Sequence, residues 1–253
     1  MTLEGRDVTW KVDGLIVVNG VTLSAPKHGI LGLVGPNGCG KSSLLRLLAG
    51  LRECQGGAVL LDGEVMARAP RKQVARRIAF VAQHAETQTA LTSRDVVKLG
   101  RTPHRGAWDG WSDADELAVI GALRQVSMEH KAEQAWSTLS GGERQRIQIA
   151  RALAQEPEIM LLDEPTNHLD IRHQRDLLRL LRKLECGTII ALHDLDHAAA
   201  YCDRIAVMEK GKVIAQGPPD EIITTEMIAS VFGVDAIVHL RKDSGRPRVE
   251  FCL

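Results

Sequence analysis

The chain has 253 residues, 44% of them hydrophobic, and its 32 Lys and Arg are balanced by 32 Asp and Glu. That is enough apolar material for the core of one large domain, and the neutral balance excludes a global electrostatic footprint for nucleic acid or an acidic membrane surface, so any anion recognition must be local. No apolar run reaches the roughly 18 residues of a membrane-spanning helix. Glu4, Arg6 and Asp7 interrupt the N-terminus where a signal-peptide core would lie, so the expected location is the cytoplasm. Cys39, Cys54, Cys186, Cys202 and Cys252 lack metal-ligand spacing and are odd in number, as expected of reduced thiols serving as small buried fillers.

In chain order, short apolar runs alternate with helical patterns, which argues for an α/β fold with a largely parallel sheet. Ile30 to Val34 leads into a glycine loop followed by a helical run from Ser43 to Leu51, and Ile78 to Ala82 leads to Gln83. From Gln83 to Leu139 no continuous strand pattern appears, and Asp113 to Val126 reads as a helix with Leu117, Ile120 and Leu123 on one face, so this stretch is expected to be an inserted helical lobe. Ile159 to Leu162 leads to Asp163 and Glu164, and Thr188 to Leu192 leads to His193. Between them, Asp170 to Glu185 reads as a helix with a solvated arginine stripe opposite Leu177, Leu178, Leu181 and Leu184. After Pro218 and Pro219 a short helical stretch precedes a hairpin of Ala236 to Arg241 and Arg248 to Cys252. Ligands of open α/β sheets bind beyond the carboxyl ends of the strands, so four strand ends carrying polar groups are expected to converge on one ligand.

Gly35-Pro36-Asn37-Gly38-Cys39-Gly40-Lys41-Ser42 has the spacing of a phosphate-binding loop between a strand and a helix. Its glycines let backbone N–H groups turn toward phosphate oxygens, Lys41 is expected at the outer phosphates, Ser42 at Mg²⁺, and Ser43 opens the helix behind them. Two carboxylates at the end of a buried strand are costly without a cation or a reacting water, so Asp163 is assigned to Mg²⁺ and Glu164 to the attacking water as general base. Ser140, Gly141, Gly142 and Glu143 form a capping-box helix start whose adjacent glycines make a second anion site, expected to serve a nucleotide shared between two chains.

These segments, GPNGCGKS, Gln83, LSGGE, IMLLDEP, Asp170 and His193, in this order and spacing, resemble ATP-binding cassette (ABC) ATPases over nearly the whole chain. The resemblance implies a P-loop NTPase (RecA-like) core over residues 1–86 and 140–235 with a small antiparallel β subdomain, a helical signature subdomain at 87–139, and a C-terminal hairpin at 236–253. It further implies a head-to-tail homodimer binding ATP and Mg²⁺ between one protomer's Lys41 loop and the other's Ser140-Gly141-Gly142. Gln83 would meet Mg²⁺ or the water, His193 the γ-phosphate, and Asp170 the other protomer. ABC domains stack adenine on an aromatic residue of the first strand; here Val12 holds that position, and Trp10 lies two residues earlier on the same face. Leu91 to His104 reads as a helix with a proline stop after Arg101, and its stretch Val97-Lys98-Leu99-Gly100-Arg101-Thr102-Pro103-His104, like the tail Ser244-Gly245-Arg246-Pro247 before an extended run, is similar to importer ATPases for ferric siderophores, haem and cobalamin. Membership of that group implies a peripheral protein on the cytoplasmic face of the membrane, docked through residues 83–111 on a polytopic permease, and indirectly partnered by a substrate-binding protein. The competing readings are an exporter cassette and a soluble ABC ATPase.

Overall fold

Strands that are apolar on both faces belong in the middle of a sheet, and three of them here are buried at every position. The computed structural model, which describes residues 2–83, 91–106, 108–242 and 244–252, places them side by side. The first half of the chain runs β1 (Leu3–Val12), β2 (Leu15–Ser24), β3 (Ile30–Val34), α1 (Lys41–Leu48), β4 (Gly56–Leu61), β5 (Glu64–Val65), α2 (Arg71–Arg77), β6 (Ile78–Val81), α3 (Ser93–Lys98) and α4 (Asp113–Gln125). The second half runs α5 (Gly141–Leu153), β7 (Ile159–Asp163), α6 (Ile171–Leu181), β8 (Gly187–Ala191), α7 (Leu195–Tyr201), β9 (Arg204–Glu209), β10 (Lys212–Gly217), α8 (Pro219–Ile222), α9 (Thr225–Phe232), β11 (Ala236–Leu240) and β12 (Pro247–Phe251).

The central sheet has the order β10-β9-β3-β8-β7-β6, parallel except for β10. Period-2 alternation divides its side chains between two cores. Ile30, Val34, Met160, Leu162 and Ile190 face α5, α6, α7 and α9, whereas Leu31, Leu33, Leu161 and Ile189 face α1 and the antiparallel sheet β2-β1-β4-β5. The four strand ends singled out in the sequence belong to the neighbours β3-β8-β7-β6, which is why their polar groups meet.

Residues 91–139 carry α3, α4 and 3-10 turns that pack on α5, the helix that shares one apolar core with the lobe and the sheet. The buried face of α4 differs from the sequence expectation. Leu117 and Ile120 are exposed, while Val119, Ala122, Leu123 and even Asp115 are buried. The proline stop after Arg101 also differs: α3 ends at Lys98 and a 3-10 turn, Leu99–His104, continues through Pro103. The arginine stripe of α6 is exposed opposite buried Leu177, Leu178 and Leu181. Of the cysteines, all free, Cys39 and Cys202 are buried but Cys252 is exposed and fills nothing.

The turn Leu99–His104 fastens the lobe to the segment behind α5. A Cβ at Gly100 would lie 2.1 Å from the Arg151 carbonyl, so only glycine permits this approach. Arg101, 5% exposed, donates to Asp115 Oδ1 (2.9 Å), the Ala154 carbonyl (2.7 Å) and Glu156 Oε2 (2.6 Å). The His104 ring Nε2 meets the Gln155 carbonyl at 2.8 Å, and the Gln155 amide donates to the carbonyls of Ala75 and Ile78 at the start of β6. Arg101, with Ser112, holds the Asp115 carboxyl down at about 2.

Candidate functional site

The glycine loop leaves β3 and enters α1 in a backbone path that side chains would obstruct. A Cβ at Gly35 (φ 152°) would lie 2.1 Å from the Met208 carbonyl, and one at Gly40 (φ 107°) 2.5 Å from the Val17 carbonyl. Asn37 and Gly38 form its exposed tip, Cys39 is buried beneath with its thiol pushed up by burial, and Ser43 is half-buried in the first turn of α1. No side chain caps α1 and no acidic residue lies in its first turn, so its N-terminal N–H groups and their partial positive charge face the loop. Lys41 is buried and donates to the carbonyls of Gly35 (2.7 Å) and Pro36 (3.1 Å), which holds its ammonium inside the loop's curve.

Ser42 Oγ donates to Asp163 Oδ1 at 2.7 Å. Asp163 is 1% exposed, its other oxygen Oδ2 has no hydrogen-bond partner, and the nearest cation, Arg46, is 3.9 Å away. Burial pushes this carboxyl up, with the Ser42 hydrogen bond opposing. An unpartnered carboxylate oxygen beside a hydroxyl is a hard-oxygen donor set that fits a small divalent cation. One residue on, Glu164 adopts φ 50°, a left-handed conformation costing about 1–3 kcal/mol for a non-glycine residue. Its Oε2 accepts from Gln83 Nε2 (2.9 Å) and Asn167 Nδ2 (2.7 Å), and its Oε1 lies 2.5 Å from His193 Nε2. Gln83, Asp163, Glu164, His193, Lys41 and Ser42 therefore come together from four neighbouring strand ends. Asn167 and Arg46 complete the cluster and were not singled out by sequence; the signal available for Asn167 was only its place three residues after Glu164.

The second predicted anion site lies apart from the first. Among the described residues, no hydrogen bond or ion pair joins Ser140–Gly142 to the glycine loop. Ser140 Oγ accepts from the Glu143 N–H (3.4 Å) and Glu143 Oε2 from the Ser140 N–H (2.9 Å), the reciprocal capping box. The Lys131 ammonium beside it, then the Ser140 N–H, hold Glu143 down at about 2. Ser140 and Gly141 are exposed, while a Cβ at Gly142 would meet the His173 ring at 2.7 Å. Asp170 caps α6 through the His173 N–H (2.8 Å), which lowers its carboxyl, and its exposed side chain also meets His173 Nδ1.

Trp10 and Val12 have different surroundings. The β1–β2 register shifts between Trp10 and Lys11; Trp10 is half-buried against the β3–α1 core with the Arg52 guanidinium 4.2 Å over its ring, whereas Val12 is 39% exposed. Residues 84–90, including the expected docking positions Glu86 and Gln88, lie outside the described residues. Arg105 donates to the Asp109 carbonyl and lies 5.2 Å over Trp111, and Trp108 is exposed.

A strand, a glycine loop and an uncapped helix, next to a strand end bearing two carboxylates, define a P-loop nucleotide hydrolase. The family model described as ABC transporter matches residues 18–167. The ferric enterobactin transport ATP-binding protein FepC of Escherichia coli (strain K12) is 43% identical, covering 98% of this chain and 93% of that one. The hemin import ATP-binding protein HmuV of Rhodococcus jostii (strain RHA1) is 40% identical, covering 92% and 83%. A solved inward-facing metal-chelate type ABC transporter superposes with a TM-score of 0.86 at 27% identity, covering all of this chain and 97% of that one. The chain belongs to the ABC transporter family and is an ATPase of its ATP-binding subunits.

Proposed function

We propose that this chain powers import of an iron chelate, a ferric siderophore or haem, by hydrolysing ATP on the cytoplasmic face of the membrane beneath a separate permease. The cargo class rests on FepC and HmuV, whose names specify ferric enterobactin and hemin, and no relative reported above carries a cobalamin name. No helix among the described residues is long and apolar enough to cross a membrane, so membrane passage falls to partner subunits, with a substrate-binding protein delivering the chelate.

The observation that carries the chemistry is Glu164, held by three donors one residue beyond a buried carboxylate with an open oxygen. Asp163 and Ser42 would hold Mg²⁺, which supplies charge neutralisation on the phosphates. Lys41 and the α1 N-terminus bind the phosphate chain, His193 senses its end, and Glu164 takes the proton of the attacking water. The separation of Ser140–Gly142 from the loop supports a site completed by a second copy arranged head to tail, with Asp170 reaching across. Val12 is open to the base, while one face of Trp10 is already taken by Arg52.

Glu164→Gln and Lys41→Ala should fail differently. The first should keep ATP binding, lose about 10²- to 10⁴-fold in turnover, and elute with ATP as a dimer; the second should lose nucleotide affinity. Near-normal hydrolysis by Glu164→Gln, measured as phosphate release, removes the base assignment.

A further inference from the structure

Glu164 is an acceptor when ionised, so the amides of Gln83 and Asn167 both present N–H groups to it, on the same oxygen. The three donors differ in origin. Gln83 follows β6 and His193 follows β8, each with a duty toward nucleotide, cation or water in the reading above. Asn167 belongs to the loop of Glu164 itself: its backbone N–H donates to the Glu164 carbonyl (3.2 Å), closing a turn that carries the amide along with the carboxylate. Non-glycine residues in the left-handed region bracket it, Glu164 at φ 50° and His168 at φ 61°. The turn is tied to α6 by the Gln174 amide, which donates to the Thr166 carbonyl at 3.1 Å.

From this geometry we infer that Asn167 is the positioning residue of the general base, the donor that keeps the Glu164 carboxylate aimed when Gln83 and His193 turn to the nucleotide. The inference rests on Glu164 being the base. With Gln83 and His193 withdrawn, Oε1 is released to accept a proton, while Oε2 keeps one fixed N–H. Without Asn167 the same withdrawal leaves a carboxylate free to rotate about its side-chain torsions, and a misaimed base lowers the rate of the chemical step without weakening ATP binding.

The test uses the full chain with Mg²⁺ and ATP, and reads kcat, KM, nucleotide affinity and the melting temperature. Asn167→Ala should lower kcat by about tenfold, with KM and affinity within about twofold of wild type. Asn167→Asp has the same shape but no N–H, so it should lose at least as much, whereas a space-filling role would tolerate it. In the background of Glu164→Gln, adding Asn167→Ala should change the residual rate by less than about twofold, because the two act through one group. Wild-type kcat in Asn167→Asp, or the full Asn167→Ala loss repeated on top of Glu164→Gln, overturns the inference and leaves the base assignment standing. Near-normal turnover in Glu164→Gln alone overturns both.

Discussion

Two buried polar clusters, about which the molecule is organised, obey opposite rules. Around Arg101 every charge is matched: the guanidinium has Asp115, Glu156 and a carbonyl, and Asp115 has Arg101 and Ser112. Around Asp163 an oxygen is left without a partner, a carboxylate is pushed up by burial, and the next residue is strained. Burying a polar group without a partner costs about 1–3 kcal/mol; Thr188 Oγ1 and Gln148 Oε1 are unpartnered too, but among the described residues only at Asp163 is the open atom a carboxylate oxygen beside a hydroxyl and a strained glutamate. The two clusters look alike in sequence, as charges within apolar surroundings, and differ in whether a carboxylate is left open to a cation.

The largest expected effect separates the two on stability. Arg101→Ala should cost about 3–5 kcal/mol by stranding Asp115 in the interior, while the nucleotide affinity of the folded fraction stays at the wild-type value. Urea unfolding and ATP titration check this, and a loss of affinity equal to that of Lys41→Ala would erase the distinction. Next comes Asp163→Asn. A carboxyl whose folded value is raised carries no penalty below its ordinary value and a growing one as pH rises from there through the raised value, so at neutral pH its ionised form opposes the fold. Metal-free Asp163→Asn should therefore be more stable to urea at neutral pH, by about 1 kcal/mol, while Mg²⁺-dependent turnover collapses; a lower stability would show that the open oxygen is satisfied. The smallest effect sharpens the comparison on pH. Asp115 is held down at about 2, so its contribution is complete above the usual aspartate value of about 4 and is lost as pH falls from there toward about 2. Acid unfolding should steepen in that window, and Arg101→Ala should flatten it.

Much of the site is legible in sequence because its parts are local. The glycine spacing of 35–42, apolar runs ending in Gln83, Asp163 and His193, and the Ser140 to Glu143 spacing each encode one element end, and the sheet order makes the first four of those ends neighbours. What escaped depends on partners distant in sequence. Helical periodicity in 113–126 allows more than one apolar stripe; the buried one is fixed by α5 and by Arg101, 14 residues before Asp115. Arg101 itself reads as the polar end of a helix until Ala154 and Glu156, more than 50 residues away, come to meet it. Asn167 is a polar residue in a polar loop, and only the fold shows its amide aimed at Glu164.

The attachment of Gln155 to both Ala75 and Ile78 gives β6 two unlike ends. Its first residue is pinned, through Gln155 and His104, to the same turn that anchors the lobe, while beyond its last residue Gln83 donates to the Glu164 carboxylate. Between those two ends every residue of the strand is paired with β7. Four residues of strand span roughly 13 Å, so one short, fully paired strand carries both the clasp that anchors the lobe and the glutamine that reaches Glu164.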